Sequence, residues 1–145
     1  MKRGGNGTMG RFKVDLEVAN YDDMSLARAG HLPADKVRRS AIQGVVDTGA
    51  VRLVLPKKVA DALGLKPIEK ISVRYADNRR ATRTKVGPIW LKLAGRDEVF
   101  SAIVEPNRTD ALIGAVVLEQ LDLLVDCVSQ RLHPRDPKGI VSEIE

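Results

Sequence analysis

The sequence predicts an all-β domain, folded as a barrel or a sandwich. Three observations carry this. Short runs alternate apolar and polar residues with a period of two, the pattern of half-buried strands. Roughly eight such runs stand against two helical ones. They are evenly spaced and separated by turn residues, rather than alternating with helices as in β/α units.

Taken in order, Met1 to Gly10 is Gly-rich and polar, so residues 1–11 are expected to form a flexible segment ahead of a domain over 12–133. Phe12, Val14, Leu16 and Val18 alternate with Lys13, Asp15 and Glu17 and predict the first strand. Asn20 to Lys36 carries turn residues around Leu26-Ala27-Arg28-Ala29 and reads as a long connection with room for a short strand. Val37 to Val46 is a second strand, and Val51 to Leu55 a third. Pro56 opens a short helix, because its missing N–H would be unpaired there anyway. Val59, Ala60 and Leu63 share one face of that helix and Gly64 ends it. Lys70 to Tyr75 and Arg80 to Val86 flank Ala76-Asp77-Asn78-Arg79 as a hairpin with a polar, basic tip. Ile89 to Leu93 and Val99 to Val104 form a second hairpin around Gly95-Arg96-Asp97. After a loop at Pro106 to Asp110, Ala111 to Gly114 leads into a helix over Ala115 to Leu121, with Val117, Leu118 and Leu121 inward. A last strand is expected from Leu123 to about Leu132, with a tail over 134–145 in which Ile140 to Ile144 has room for one more strand or helical turn.

Composition narrows the function classes. The chain has 145 residues, 43% hydrophobic and 30% charged, which suits one soluble globular domain. Aromatic residues are only 3%, so the core must rest on Val, Leu, Ile and Ala. The same shortage counts against a stacking platform for single-stranded nucleic acid, although the net charge of +5 motivates a basic nucleic-acid-binding domain as a third reading. Nucleic acid is therefore not an expected partner. One cysteine, Cys127, excludes an internal disulfide. Cys127, His31 and His133 fall short of the four ligands of a structural zinc site, so no metal is expected. Cys127 is expected to be a small buried apolar residue, and the two histidines surface loop residues. No apolar run approaches the roughly 18 residues of a membrane span, and Met1 to Phe12 lacks the apolar stretch of a secretory signal. A reducing cytoplasm is the expected compartment, with no membrane partner.

The chemistry gathers at Val45-Val46-Asp47-Thr48-Gly49-Ala50. One carboxylate stands where a β-branched strand stops and apolar residues resume, so it needs hydrogen-bond donors around it. Thr48 offers a hydroxyl. Gly49 permits backbone torsions that a side chain forbids, and lets a backbone or ligand approach closely. The competing reading is a turn in which Asp47 caps its own backbone.

Three features in order resemble the retropepsin-like aspartic proteases, in particular the small bacterial members of that clan: apolar-apolar-Asp47-Thr48-Gly49-Ala50, a hairpin some 25 residues on, and Leu112-Ile113-Gly114 before a helix. The resemblance covers roughly Phe12 to Leu132. It implies an acid-protease barrel with a flap hairpin and one or two short helices. It makes Asp47 the catalytic acid/base, with Thr48 bonding across to a partner subunit, Gly49 turning its N–H to the carboxylate and Ala50 lining the cleft floor. Tyr75, Ala76, Asp77 and Asn78 would belong to the flap over a peptide or protein substrate. Leu112, Ile113 and Gly114 would support the loop from below. Two departures stand out: the Asn20–Lys36 connection is longer than in the viral enzymes, and the tip lacks their glycines.

That chemistry needs two facing carboxylates sharing one proton, because like charges a few ångströms apart cannot both ionise. It needs no metal and no cofactor. The chain holds one Asp-Thr-Gly, and Asp110, Asp122 and Asp126 lack an equivalent setting. By the resemblance the second carboxylate is Asp47 of another copy, so the expected protein is a homodimer and an aspartic endopeptidase. The alternative from another class is a catalytically silent dimer of the same fold, acting as a binding or regulatory module. The run Arg74, Arg79, Arg80, Arg83 and Lys85, offset only by Asp77, reads as a solvated hairpin surface, with a taste for acidic substrates as the alternative.

Overall fold

Alternation along the chain is realised as a closed sheet. The computed structural model describes residues 11–145; the N-terminal segment expected to be flexible lies, apart from Arg11, outside them. β1 (Arg11–Asn20) pairs antiparallel with β2 (Arg39–Asp47). β2 runs parallel to β7 (Ala111–Ile113), which meets β3 (Val54–Pro56), and β3 runs parallel to β6 (Arg96–Glu105). β6 pairs with β5 (Arg80–Leu93), and β5 returns to β1 through Ala19 opposite Trp90. The ring β1-β2-β7-β3-β6-β5 is thus a closed six-strand barrel, and β4 (Lys66–Arg74) hangs outside it on β5. No helix among the described residues is long and apolar enough to cross a membrane.

The barrel is filled by aliphatic side chains, as the shortage of aromatics requires. Val18, Val46, Leu55, Ile89, Leu91, Ile113, Val117 and Leu121 are wholly buried. Each buried Val, Leu or Ile contributes about 1.5–3 kcal/mol relative to exposure. Val117, Leu118 and Leu121 face inward, as their spacing predicts.

Several elements depart from expectation, each for a local reason. Asn20 to Lys36 contains a helix, α1 (Tyr21–Arg28), and a 3-10 turn at Ala34–Lys36. Asn20 caps α1 by accepting the Asp23 N–H at 3.0 Å, with Asp22 and Asp23 in the first turn and Arg28 in the last. The cap and the charge order were readable signals. With α2 (Lys57–Ala62) and α3 (Ala115–Gln120), the described residues hold three short α-helices rather than one or two. The two expected hairpins share one strand, the 14-residue β5, because Gly87-Pro88 interrupts its pairing without ending it. Register shifts fall between Val86 and Ile89 on β5 and between Pro67 and Glu69 on β4, at one level of the sheet.

The expected last strand is a hairpin, β8 (Leu123–Asp126) and β9 (Arg131–Pro134). Asp126 turns the chain by accepting the N–H groups of Val128 and Ser129, and Gln130 takes a positive φ of 57°. Cys127 therefore sits half-buried in a turn rather than inside a strand, and His133 is exposed on β9 rather than in a loop. The stretch Ile140 to Ile144 forms no regular element.

Two buried carboxylates clasp these additions to the barrel. Asp23 accepts from the Arg38 backbone N–H and from its guanidinium at 2.8 and 3.0 Å. Asp122 accepts from Val141 N–H at 3.1 Å and from Arg135 Nε at 2.7 Å. The Arg38 guanidinium holds Asp23 below the ordinary carboxylate range against the opposing effect of burial. For Asp122 the Val141 N–H comes first and Arg135 second. A lowered folded-state pKa contributes stability above the unfolded value of about 3.9, which is lost as pH falls through the folded value. Thermal melts should therefore show the midpoint falling below about pH 4. Asp122→Asn should start lower at neutral pH and fall less steeply on acidification.

Candidate active site

β2 ends at Asp47 because the chain turns there: Ala50 N–H donates to the Asp47 carbonyl at 3.1 Å. The Asp47 side chain is 16% exposed. Its Oδ1 accepts the Gly49 N–H at 2.9 Å, and its Oδ2 lies 3.2 Å from the Arg11 guanidinium. Arg11 stands opposite Asp47 in the β1–β2 register. Gly49 does not take a positive φ. What it supplies is room: a Cβ there would stand 3.3 Å from Asp47 Oδ1.

The loop is supported from below by its downstream neighbour. β7 places Leu112 beside Val45 and Ile113 beside Val46. Gly114 then meets the loop so closely that a Cβ would lie 2.6 Å from the Val51 carbonyl carbon and 2.7 Å from the Arg52 oxygen. The first N–H groups of α3, which lack partners inside the helix, donate to the loop: Ala115 to Ala50 and Val116 to Val51, both at 2.9 Å. This is why the expected strand Val51 to Leu55 shortens to Val54–Pro56. The Ala50 and Val51 carbonyls serve a helix end instead of a ladder.

A cleft of about 480 Å³ opens beside the loop. Gly49, Ala50 and Val51 form one wall, residues 71–75 of the hairpin the other, and Val54, Ile103 and Leu112 an apolar floor. Leu112 thus faces the cleft, while Ile113 is buried beneath the loop. Tyr75 reaches the cleft, whereas Ala76, Asp77 and Asn78 stay at the exposed tip. The tip closes without glycine: Asn78 takes a φ of 69°, Asn78 N–H donates to Tyr75 at 2.9 Å and Asp77 accepts the Arg79 N–H at 3.0 Å. Thr48 is exposed and borders a separate hollow with Ala115, Leu118 and Leu124.

Glu105, at the end of β6, holds the hairpin against the barrel. It accepts from Tyr75 Oη and from Arg83 Nε at 2.7 Å. This bond, then burial, raises the Tyr75 phenol above its ordinary value. The Arg79 guanidinium stacks on the Tyr75 ring at 4.4 Å. Arg11, Arg52, Glu105 and Arg108 join the neighbourhood without being singled out by the sequence. Arg11 is coupled to Asp47 by strand register, and Glu105 to Tyr75 by a sequence distance of 30 residues. Neither relation is visible in a local pattern. The described residues contain no group of three or more His, Cys, Asp or Glu that could hold a metal ion.

A closed barrel that stops a strand at Asp-Thr-Gly, beside a cleft walled by a hairpin, defines the retropepsin-like acid-protease class. The family model described as gag-polyprotein putative aspartyl protease matches residues 36–120, more than half of the chain, and the chain belongs to that family. The matched stretch contains the Asp47 loop, the hairpin and α3; Arg11, α1 and the β8–β9 hairpin lie outside it. At a stringent threshold no curated protein matches the chain.

Proposed function

We propose that the protein is an aspartic endopeptidase that acts as a homodimer, with the Asp47 carboxylates of two copies facing each other across a two-fold axis. One ionised carboxylate takes a proton from a water that attacks the scissile carbonyl, and its protonated partner donates to the carbonyl oxygen. Thr48 bonds across the axis, Ala50 lines the cleft and the hairpin covers the peptide. The observation that carries this reading is the Asp47 loop itself. Its carboxylate accepts the Gly49 N–H, and Gly49, Ala50 and Val51 of the same loop line the cleft next to it, while Asp47 itself is not among the lining residues.

A second reading is favoured by a separate observation. Arg11 already pairs with Asp47, as it would in a fold kept for binding without turnover. Dilution separates the two. Sites shared between copies require hydrolysis per chain to fall as the protein is diluted through its dimer–monomer transition, followed by sedimentation at matched concentrations. Constant hydrolysis per chain into the monomer range removes the shared dyad, and an intact dimer that cleaves nothing leaves the binding module.

A further inference from the structure

The basic run of the hairpin is not uniform. Arg79 pairs with Asp77, Arg83 with Glu105 and Lys85 with Glu69. The acids around the cleft are matched as well: Glu105 by Arg83 and Tyr75, and Asp47 by Arg11. Three arginines among the residues that line the cleft, Arg52, Arg74 and Arg108, form no ion pair with a carboxylate among the described residues. Arg108 is held in place by donating its Nε–H to the Asp110 carbonyl at 3.0 Å. The cleft therefore combines an apolar floor with a surplus of three positive charges at its walls.

We propose that this cleft selects an acidic peptide, one in which carboxylate side chains flank an apolar residue, with Arg74 and Arg108 receiving the carboxylates and Arg52 adding to the field. The apolar residue fills the floor at Val54, Ile103 and Leu112. Guanidinium suits this task because its planar donors match a carboxylate in two places at once. Exposed pairs of this kind are each worth only a few-fold, so two or three of them together give about tenfold. The inference deepens the protease reading and rests on the same cleft.

Binding and cleavage are measured apart. Asp47→Asn is titrated into a fluorescent peptide carrying Glu on both sides of a Leu-Phe centre, and into its Gln-substituted twin. The Glu peptide should bind about tenfold more tightly at low salt, and the gap should close near 1 M salt, where the screening length is about 3 Å. The preference should vanish in the Arg74→Gln/Arg108→Gln double variant and persist in Arg131→Gln, an exposed arginine of β9 that does not line the cleft. Equal affinity for the twins, binding of neither, or a preference that survives the double variant overturns the proposal. Wild-type cleavage of both peptides is scored independently. Selective binding without cleavage keeps the specificity and removes the protease reading; cleavage without selectivity does the reverse.

Discussion

Asp47→Asn should reduce peptide hydrolysis by at least about 10³-fold while leaving the barrel folded. The amide keeps the shape of the carboxylate and still offers an oxygen to Gly49 N–H, so the loop has no reason to rearrange. What it loses is the ability to take a proton from water. The ion pair lost with it involves an Arg11 side chain that is 62% exposed, and such pairs contribute about 0–1 kcal/mol. Activity and stability should therefore separate: kcat/KM collapses and the melting midpoint moves by a few degrees at most. A mixing experiment adds the stoichiometry. If each site needs both copies of Asp47, an equal mixture of wild type and variant retains roughly a quarter of the wild-type activity rather than half. Equal cleavage by the two proteins across acid and neutral pH would end the assignment.

Gly114→Ala should damage both stability and turnover, although it adds one methyl group far from any substrate. The new carbon would meet backbone atoms of Val51 and Arg52 at 2.6–2.7 Å, and backbone cannot step aside as a side-chain tip can. Either α3 or the Asp47 loop must move, and the two hydrogen bonds joining them stretch together. Overpacking of this kind costs about 1–3 kcal/mol. Displacement of a catalytic group by about 1 Å costs on the order of 10²-fold in rate. Denaturant melts and peptide hydrolysis on the same preparation check both. Wild-type behaviour in both would mean that the loop does not lean on α3.

The sequence makes the loop legible and its surroundings much less so. Asp47, Gly49 and Gly114 stand out because a carboxylate and two glycines interrupt apolar runs at a spacing the family shares. The barrel strands are legible because burial on one face imposes a period of two. Register is different in kind: nothing local says that Arg11 lies opposite Asp47, or that Glu105 reaches Tyr75. Helix α1 was missed because Tyr21-Asp22-Asp23 reads as turn chemistry until Asn20 is seen as its cap. The β8–β9 turn escaped because Asp126 closes it through its side chain, with no glycine or proline to announce it.

The paired register shifts in β4 and β5 carry a mechanical consequence. At that level two neighbouring strands lose their regular pairing together, and irregularities of this kind are where strands bend. Beyond it, Lys70 to Arg74 and Arg80 to Thr84 pair regularly with each other and make no ladder with β6, so they form a two-stranded ribbon. Its pivot is at the barrel wall, and its resting angle is set near the far end by Glu105, which grips Tyr75 and Arg83 from opposite strands of the ribbon. Any displacement of the ribbon from that angle has to stretch the two bonds made by this one carboxylate.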